Sequence, residues 1–103
     1  MDIKTQDLTK DSIEIIPQSN ISGHDSELFE KTCRKLIDEG KINLKINLQK
    51  TAFMDSSALG VLIGLRSLCK ARHGSLTLTN IPPTIEKILR AMRLDVVLGI
   101  QLD

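Results

Sequence analysis

The most regular pattern in the chain is an alternation of apolar and polar residues that ends just before residue 50. Ile42, Leu44, Ile46 and Leu48 alternate with Asn, Lys and Gln side chains. Successive side chains of a strand point to opposite faces, so this pattern predicts a strand over residues 41–49 with one buried face. Weaker alternation predicts strands at 12–17, 75–79 and 99–102, and an edge strand or frayed terminus at 1–8.

Three longer stretches have the apolar spacing of helices. The first starts at Asp25 or Ser26, either of which is a candidate N-cap, and ends at Gly40. The second covers residues 58–72, which are rich in Leu and contain no Pro. The third starts at Thr84, after a pair of prolines.

The alternating strands also indicate how the layers are arranged. A sheet covered by helices on both faces has continuous apolar strands, whereas these strands have one polar face. We therefore expect helices on one face of the sheet only. Residues 42–79 form one strand–helix–strand unit, so its two strands should be parallel with a right-handed crossover. The sequence predicts a small two-layer α/β fold.

Composition narrows the classes of function. The 103 residues predict one domain over residues 1–103, and 14 basic against 13 acidic side chains give no general attraction to nucleic acid. Two Phe without Trp or Tyr argue against a surface that stacks bases. The longest apolar run is too short to span a bilayer, and residues 1–7 lack the apolar segment of a signal peptide. We expect a cytoplasmic protein without membrane insertion.

The Cys, His, Asp and Glu residues give little indication of a disulfide or a metal site. Cys33 and Cys69 are far apart in the sequence and lie in predicted helices. Isolated cysteines of this kind are usually buried small hydrophobes rather than a disulfide or a metal site. No cluster of His, Cys, Asp and Glu has ligand spacing, so we predict no metal and no cofactor.

The junction between the strand at 41–49 and the helix at 58–72 is the best candidate site. Its residues are Phe53-Met54-Asp55-Ser56-Ser57. In α/β proteins, sites are usually built where the carboxyl end of a strand leads into a helix. The free N–H groups at the helix start and the positive end of its dipole also favour an anion there.

Ser56 is open to three interpretations. It is a good N-cap, which is the commonest reason for Ser at a helix start. A nucleophile would need a base, and no pattern connects His24 or His73 to it. A phosphoacceptor is the third interpretation. The helix dipole would partly stabilise the phosphate, Asp55 would repel it, and the added charge would oppose a partner at the rim of an apolar surface.

The helix at 58–72 has an unusual outer side. On a helical wheel, its core stripe contains Ala58, Leu62, Leu65 and Cys69. The apolar Leu59 and Ile63 fall outside that stripe. Two helical glycines, Gly60 and Gly64, lie on the outer side beside Ser67, although each costs about 1 kcal/mol relative to Ala. Either another part of the chain packs closely there, or a partner docks there with Leu59 and Ile63 as exposed apolar contacts.

At these residues the chain resembles the STAS domain family and, within it, the stand-alone bacterial anti-sigma factor antagonists. The resemblance covers about residue 8 to the end. It lies in residues 53–65 (FMDSSALGVLIGL), 80–83 (NIPP) and 92–95 (MRLD). It implies a mixed four- to five-stranded sheet with helices packed on one face.

The resemblance also implies partner switching by a protein that is not an enzyme. The unphosphorylated form binds an anti-sigma factor that is also a serine kinase, and this releases a sigma factor. The kinase then phosphorylates Ser56, with Asp55 and Ser57 supporting the site, and the complex separates. A serine phosphatase restores the first form, and ATP belongs to the kinase. The partner-binding residues are expected to be Ser22, Leu59, Gly60, Ile63, Gly64 and Ser67.

The chain departs from the family pattern at three positions. Ala58 stands where the family usually has Gly. Ser19 and Ser22 stand where the loop before the first helix often has Gly and then Asp. That Asp lies near the phosphorylated Ser in the family, and Asp25 is close enough in the sequence to replace it.

Two other functions are alternatives. One is a STAS subunit of a lipid-transport complex or a stressosome-like signalling assembly, although those often use Thr or another residue at the acceptor position. The other is a nucleotide-binding domain, but the sequence contains no Gly-rich phosphate loop. The oligomeric state is open.

Overall fold

The computed structural model describes residues 1–99, and these form one sheet with helices. The strands are β1 (Ile3–Thr9), β2 (Ser12–Pro17), β3 (Asn43–Asn47) and β4 (Ser75–Thr79), in the spatial order β1-β2-β3-β4. β1 is antiparallel to β2, while β2, β3 and β4 are parallel. The sheet is therefore mixed and has four strands, and β3 and β4 are parallel as the sequence predicts.

The helices follow the strands in an alternating order. They are α1 (His24–Asp38), α2 (Ser56–Ala71), α3 (Pro83–Ala91) and the single turn α4 (Leu94–Val97). α1 connects β2 to β3, and α2 connects β3 to β4. None of the helices within residues 1–99 has both the length and the apolar character needed to cross a bilayer.

One face of the sheet forms the core because its side chains are apolar at every second position. Leu44 of β3 lies opposite Ile13 and Leu76, and Ile46 lies opposite Ile15 and Leu78. All six are buried. The core face of α2 covers them with Ala58, Leu62, Leu65 and Cys69, as the helical wheel predicts. Burial of this apolar area is the main stabilising term of the fold.

The other face of the sheet is polar and carries side-chain hydrogen bonds between strands. Asn47 Nδ2 donates to Glu14 Oε2 at 3.2 Å, and Asn80 Nδ2 donates to Asn47 Oδ1 at 2.9 Å. Lys45 and Thr77 on this face are exposed. The predicted division into one buried and one solvated face is therefore confirmed.

Cys33 of α1 and Cys69 of α2 are both buried and both free. Burial raises the pKa of the Cys33 thiol and of the Cys69 thiol, since the low-dielectric interior disfavours a thiolate. The prediction that both act as small buried hydrophobes is confirmed.

The ends of two elements differ from the predictions. α1 begins at His24 with Gly23 as its N-cap and no side-chain cap, so neither Asp25 nor Ser26 caps it. Ser26 is instead buried inside the first turn. The predicted strand over 99–102 is not seen at Gly99, which lies in a turn after α4 with a φ of 66°. Its remaining residues lie outside the described part of the chain.

We predict that Gly74→Ala destabilises the protein strongly. A Cβ at Gly74 would overlap the carbonyl oxygen of Ile42, where the chain enters β4 beside β3. Backbone atoms cannot move away cheaply, so the free energy of unfolding should fall by roughly 2 kcal/mol or more. Denaturant unfolding measures the change. Gly64→Ala is the matched control, because it should not destabilise the fold, and an unchanged midpoint for Gly74→Ala would contradict the prediction.

Candidate functional site

Two loops meet at the carboxyl end of the parallel strands. The loop after β2 and the loop after β3 pair through a parallel bridge between Ile21 and Met54. The Ile21 N–H donates to the Phe53 carbonyl at 3.1 Å, and the Asp55 N–H donates to the Ile21 carbonyl at 3.3 Å. The start of α1 and the start of α2 are therefore brought together, with Asp55 between them.

The Asp55 carboxylate connects the two helix starts. Its Oδ1 accepts from the Ala58 N–H at 2.9 Å, which makes Asp55 the N-cap of α2. Its Oδ2 accepts from the Gly23 N–H at 2.9 Å, which belongs to the N-cap residue of α1. The Ser26 hydroxyl lies 3.5 Å from Oδ1. One negative charge therefore lies at the positive ends of two helix dipoles.

These contacts lower the pKa of the Asp55 carboxyl below its usual value. The bond from the Ala58 N–H has the largest effect, and the bond from the Gly23 N–H comes next. Both stabilise the ionised form, because a carboxylate is a stronger acceptor than a carboxylic acid. Asp55 is therefore ionised at neutral pH and has a structural role.

Ser56 is not the N-cap that the first interpretation required. It is the first residue of α2, and its side chain is exposed. Within residues 1–99, neither the Ser56 hydroxyl nor the Ser57 hydroxyl has a hydrogen-bond partner. Since Asp55 caps the helix, the Ser56 hydroxyl is free for chemistry.

The outer face of α2 consists of Ser56, Gly60, Gly64 and Ser67. Gly60 and Ser67 are exposed, and Gly64 is half-buried. An ideal Cβ built on Gly60 or Gly64 would meet no heavy atom of the described chain within 4 Å, apart from the backbone of α2 itself. Close packing within the chain therefore does not explain these two glycines. The face is smooth and open.

The prediction that Leu59 belongs to the docking surface is wrong. Leu59 was expected to supply an exposed apolar contact, but its side chain is 3% exposed and belongs to the core. The core face of α2 therefore extends further round the helix than the wheel predicts. Ile63 is half-buried and packs partly against the core. Only Ile63 of this pair can contact a partner.

Ser22 lies in the loop that forms the site. It stands between Ile21, which pairs with Met54, and Gly23, which donates to Asp55. Asp25, the possible substitute for a loop Asp, lies in the first turn of α1, and its carboxylate is 3.9 Å from the terminal ammonium of Met1. Ser19 is further away, and its carbonyl accepts from the Thr51 hydroxyl at 2.9 Å.

The structure adds Asn20 to the site, and it gives a possible contact role to Phe53, which was predicted only as part of the junction. Asn20 Oδ1 accepts from the N–H groups of Ala52 and Phe53 at 2.9 and 3.1 Å, so Asn20 fixes the loop that precedes Asp55. The only signal for it was an Asn in a polar loop, where its side chain often binds nearby backbone. Phe53 is 47% exposed beside the site. An exposed aromatic residue next to an open helix face is typical of a contact surface.

The two histidines do not form a catalytic pair with Ser56. His24 Nδ1 lies 3.3 Å from Glu27 Oε2 in the first turn of α1, and its side chain is mostly exposed. His73 follows the far end of α2, roughly 25 Å along the helix from Ser56. In the part of the chain that the structure describes, no three His, Cys, Asp or Glu side chains are grouped so that they could bind a metal ion.

A comparison with known protein families settles the classification. The sequence profile of the STAS domain matches residues 4–103. The chain belongs to the STAS domain family. The resemblance seen in residues 53–65 is therefore confirmed, and the observed mixed α/β sheet is the fold of this family.

Solved structures share the fold of this STAS domain. A candidate anti-sigma factor antagonist from Thermotoga maritima superposes with a TM-score of 0.83 at 19% identity, covering 94% of this chain and 81% of the other. The unphosphorylated anti-sigma factor antagonist SpoIIAA gives 0.73 at 22% identity over 95% and 99% of the two chains. Phosphorylated SpoIIAA from Bacillus gives 0.72 at 20% identity over 92% and 86%. At these identities the comparison shows a common fold.

We predict that Asp55 makes the stability of the STAS domain depend on pH. Its folded-state pKa lies below the unfolded value of about 3.9. Its contribution is therefore present above that value and is lost as the pH falls through the folded pKa. The melting temperatures of the parent and Asp55→Asn should differ most near neutral pH and converge below about pH 4.

Thermal melts of both proteins from neutral to acidic pH measure this effect. Glu39→Gln is the control, since it removes an exposed carboxylate that accepts no hydrogen bond among residues 1–99. A difference between the parent and Asp55→Asn that stays constant over the whole pH range would show that the ionised Asp55 does not connect the two helix starts.

Proposed function

We propose that this STAS domain is an anti-sigma factor antagonist controlled by phosphorylation of Ser56. In its unphosphorylated form it binds an anti-sigma factor that is also a serine kinase, and a sigma factor is released. The observation that supports this most is the Ser56 hydroxyl. It is exposed, without a hydrogen-bond partner in residues 1–99, and at the start of an open helix face.

Asp55 caps α2 and Ser56 does not, which favours Ser56 as a residue that can be modified. If Ser56 were the N-cap, phosphorylation would change the group that accepts the helix N–H, so the modification would also act on the start of α2. Asp55 takes that role instead, so a phosphate on Ser56 leaves the cap intact. The modification can therefore change the surface without changing the fold.

The phosphate would act as a charge at the docking surface. It adds about −1.5 to −2 charges at neutral pH. Asp55 already occupies the positive ends of both helix dipoles, so little compensation is left for a second anion nearby. A partner that contacts α2 would have to bury or repel this charge, which opposes binding. Phosphorylation is therefore expected to separate the complex.

The proposed docking surface is the outer face of α2 with its neighbouring loop. It consists of Ser22, Phe53, Gly60, Ile63, Gly64 and Ser67. The glycines let the backbone of a partner approach, while Phe53 and Ile63 supply apolar contact. The departure from the family at Ala58 does not alter this surface, because the Ala58 side chain is fully buried in the core.

The remaining parts of the switch belong to partners. The kinase supplies ATP, a serine phosphatase removes the phosphate, and this chain acts by binding rather than by catalysis. We place the switch in the cytoplasm, where sigma factors act. Asp55 and Ser57 border the acceptor, and Ser22 takes the loop position at which the family often has Asp.

We predict that a candidate serine kinase with ATP transfers one phosphate to Ser56. The parent, Ser56→Ala and Ser57→Ala should be incubated in parallel and analysed by intact mass and peptide mapping. The parent and Ser57→Ala should each gain one phosphate, and Ser56→Ala none. Ser57→Ala is a close control, because Ser57 is the next residue of the same helix turn and also has an exposed hydroxyl.

Two results would overturn this assignment. Phosphate that maps to Ser57 would move the acceptor by one residue. If no cognate kinase phosphorylates the chain, a docking subunit of a lipid-transport complex or a stressosome-like assembly becomes the better function.

We predict that Gly60→Ala raises the stability of the domain and weakens its binding to the partner. A methyl group at Gly60 meets no other part of the described chain, so the free energy of unfolding should rise by roughly 0.5–1 kcal/mol. The same methyl group would keep the backbone of a partner away, so affinity for the anti-sigma factor should fall about tenfold. Denaturant unfolding and calorimetric titration measure the two effects.

A matched control lies on the opposite face of the sheet. Thr77→Ala changes an exposed residue of β4 on the polar face and should leave affinity unchanged. Ile63→Glu should abolish binding while the domain still folds, since Ile63 is only half-buried. If Gly60→Ala gains stability and binds as tightly as the parent, the partner does not contact the outer face of α2.

A further inference from the structure

A second exposed apolar surface lies around α4. Met92, Val96 and Val97 are 53%, 73% and 47% exposed. In the same segment Leu94 and Leu98 are buried and belong to the core. α4 is therefore anchored by one side and exposes apolar side chains on the other, which is unusual for so short a helix.

Arg66 and Arg93 both lie next to this segment. The Gly99 N–H donates to the Val96 carbonyl at 3.1 Å, and an ideal Cβ on Gly99 would lie 3.4 Å from Nη2 of Arg66. The Arg66 guanidinium therefore reaches the turn that follows Val96. The Val97 N–H donates to the carbonyl of Arg93, the residue before α4.

The charges around this surface are more basic than acidic, since Arg66, Lys70 and Arg93 are opposed by Asp95 of α4. Within residues 1–99, neither Arg66, Lys70 nor Arg93 forms an ion pair. Lys70 lies one turn along α2 from Arg66, on the same side of the helix. The asymmetry extends to the whole chain. Residues 1–39 contain nine acidic and five basic side chains, whereas residues 56–99 contain six basic and two acidic ones.

We propose that the α4 surface, defined as Met92, Val96 and Val97 with Arg66, Lys70 and Arg93, docks an acidic amphipathic segment of another protein. Apolar residues of that segment would cover Val96 and Val97, and its carboxylates would pair with the two arginines. The planar guanidinium group binds a carboxylate through two parallel hydrogen bonds. The basic residues would also speed the encounter of the two molecules.

The composition of the surface favours a protein over a membrane as the occupant. Met and Arg are enriched in protein interfaces. Surfaces that bind bilayers usually add Trp or Tyr anchors at the headgroup level, and the chain contains neither residue.

Ser56 itself is distant from the α4 surface, although Ile63 of the docking surface lies one turn along α2 from Arg66. Arg66 is ten residues along α2 from Ser56, or roughly 15 Å. It also lies on the flank of α2 that faces Gly99, rather than on the outer face with Gly60 and Gly64. The proposal therefore does not depend on phosphorylation of Ser56.

The test uses the full chain, isotope-labelled for amide NMR, and a synthetic amphipathic helical peptide with glutamates beside a leucine stripe. The peptide should shift the amide signals of residues 92–98 and of Arg66, and added salt should weaken binding. Val96→Glu and Arg93→Glu should each weaken it about tenfold. Thr77→Glu and Lys31→Glu are the matched controls, since both change exposed residues elsewhere and should bind as the parent does.

Four results would overturn the proposal. The first is the absence of any shift at the highest soluble peptide concentration. The second is equal binding of a peptide in which lysines replace the glutamates, because apolar contact alone would then explain it. The third is binding of phosphatidylserine vesicles through the same residues without binding of the acidic peptide, which indicates a membrane. The fourth is a concentration-dependent shift of these amides without any peptide, which indicates a second copy of the chain.

Discussion

In this STAS domain, the two oxygens of one carboxylate accept hydrogen bonds from the starts of two helices. Asp55 Oδ1 caps α2 through the Ala58 N–H, and Oδ2 accepts from the Gly23 N–H at the start of α1. Each helix start has backbone donors without partners inside the helix. Because the same charge satisfies both, the loops after β2 and β3 are fixed relative to each other. The position of Ser56 follows from that arrangement.

This constraint gives two adjacent residues different roles in the fold. The Asp55 carboxylate accepts backbone hydrogen bonds, whereas the Ser56 hydroxyl has no hydrogen-bond partner in the described chain. Asn20 supports the same loop from the other side through the N–H groups of Ala52 and Phe53. A residue whose hydroxyl has no structural duty can be modified and restored repeatedly, since the modification breaks no bond that the fold needs.

The sheet could be predicted from the sequence because the alternation of apolar and polar residues directly indicates which side chains of a strand are buried. Leu44 and Ile46 face the helices and Lys45 faces solvent, and no tertiary knowledge was needed to assign them. The N-cap of α2 was harder, because Asp and Ser are equally good caps and stand side by side. What decides between Asp55 and Ser56 is a second donor at Gly23, which is distant in the sequence.

The wrong prediction that Leu59 is exposed has a similar cause. A helical wheel places a residue on a face but does not say how far the neighbouring chain extends around that face. The segment from Leu94 to Gly99 contains a single helical turn and gives almost no periodic signal. It nevertheless supplies Leu94 and Leu98 to the core. The spacing of apolar residues along the chain was sufficient to predict the helices and strands. It was insufficient to predict which residues at the edge of the core are buried.

The glycines of α2 have a consequence for the thermodynamics of association. A surface of Gly60, Gly64 and Ser67 has almost no side-chain rotamers to lose when a partner covers it. Ordering long side chains is a substantial part of the unfavourable entropy of binding, and this face largely avoids it. A complex formed on it can be tight although it contains few strong contacts. Its free energy is then divided over many weak contacts. In the proposed function, one phosphate at the edge of this surface would therefore be enough to reverse the equilibrium.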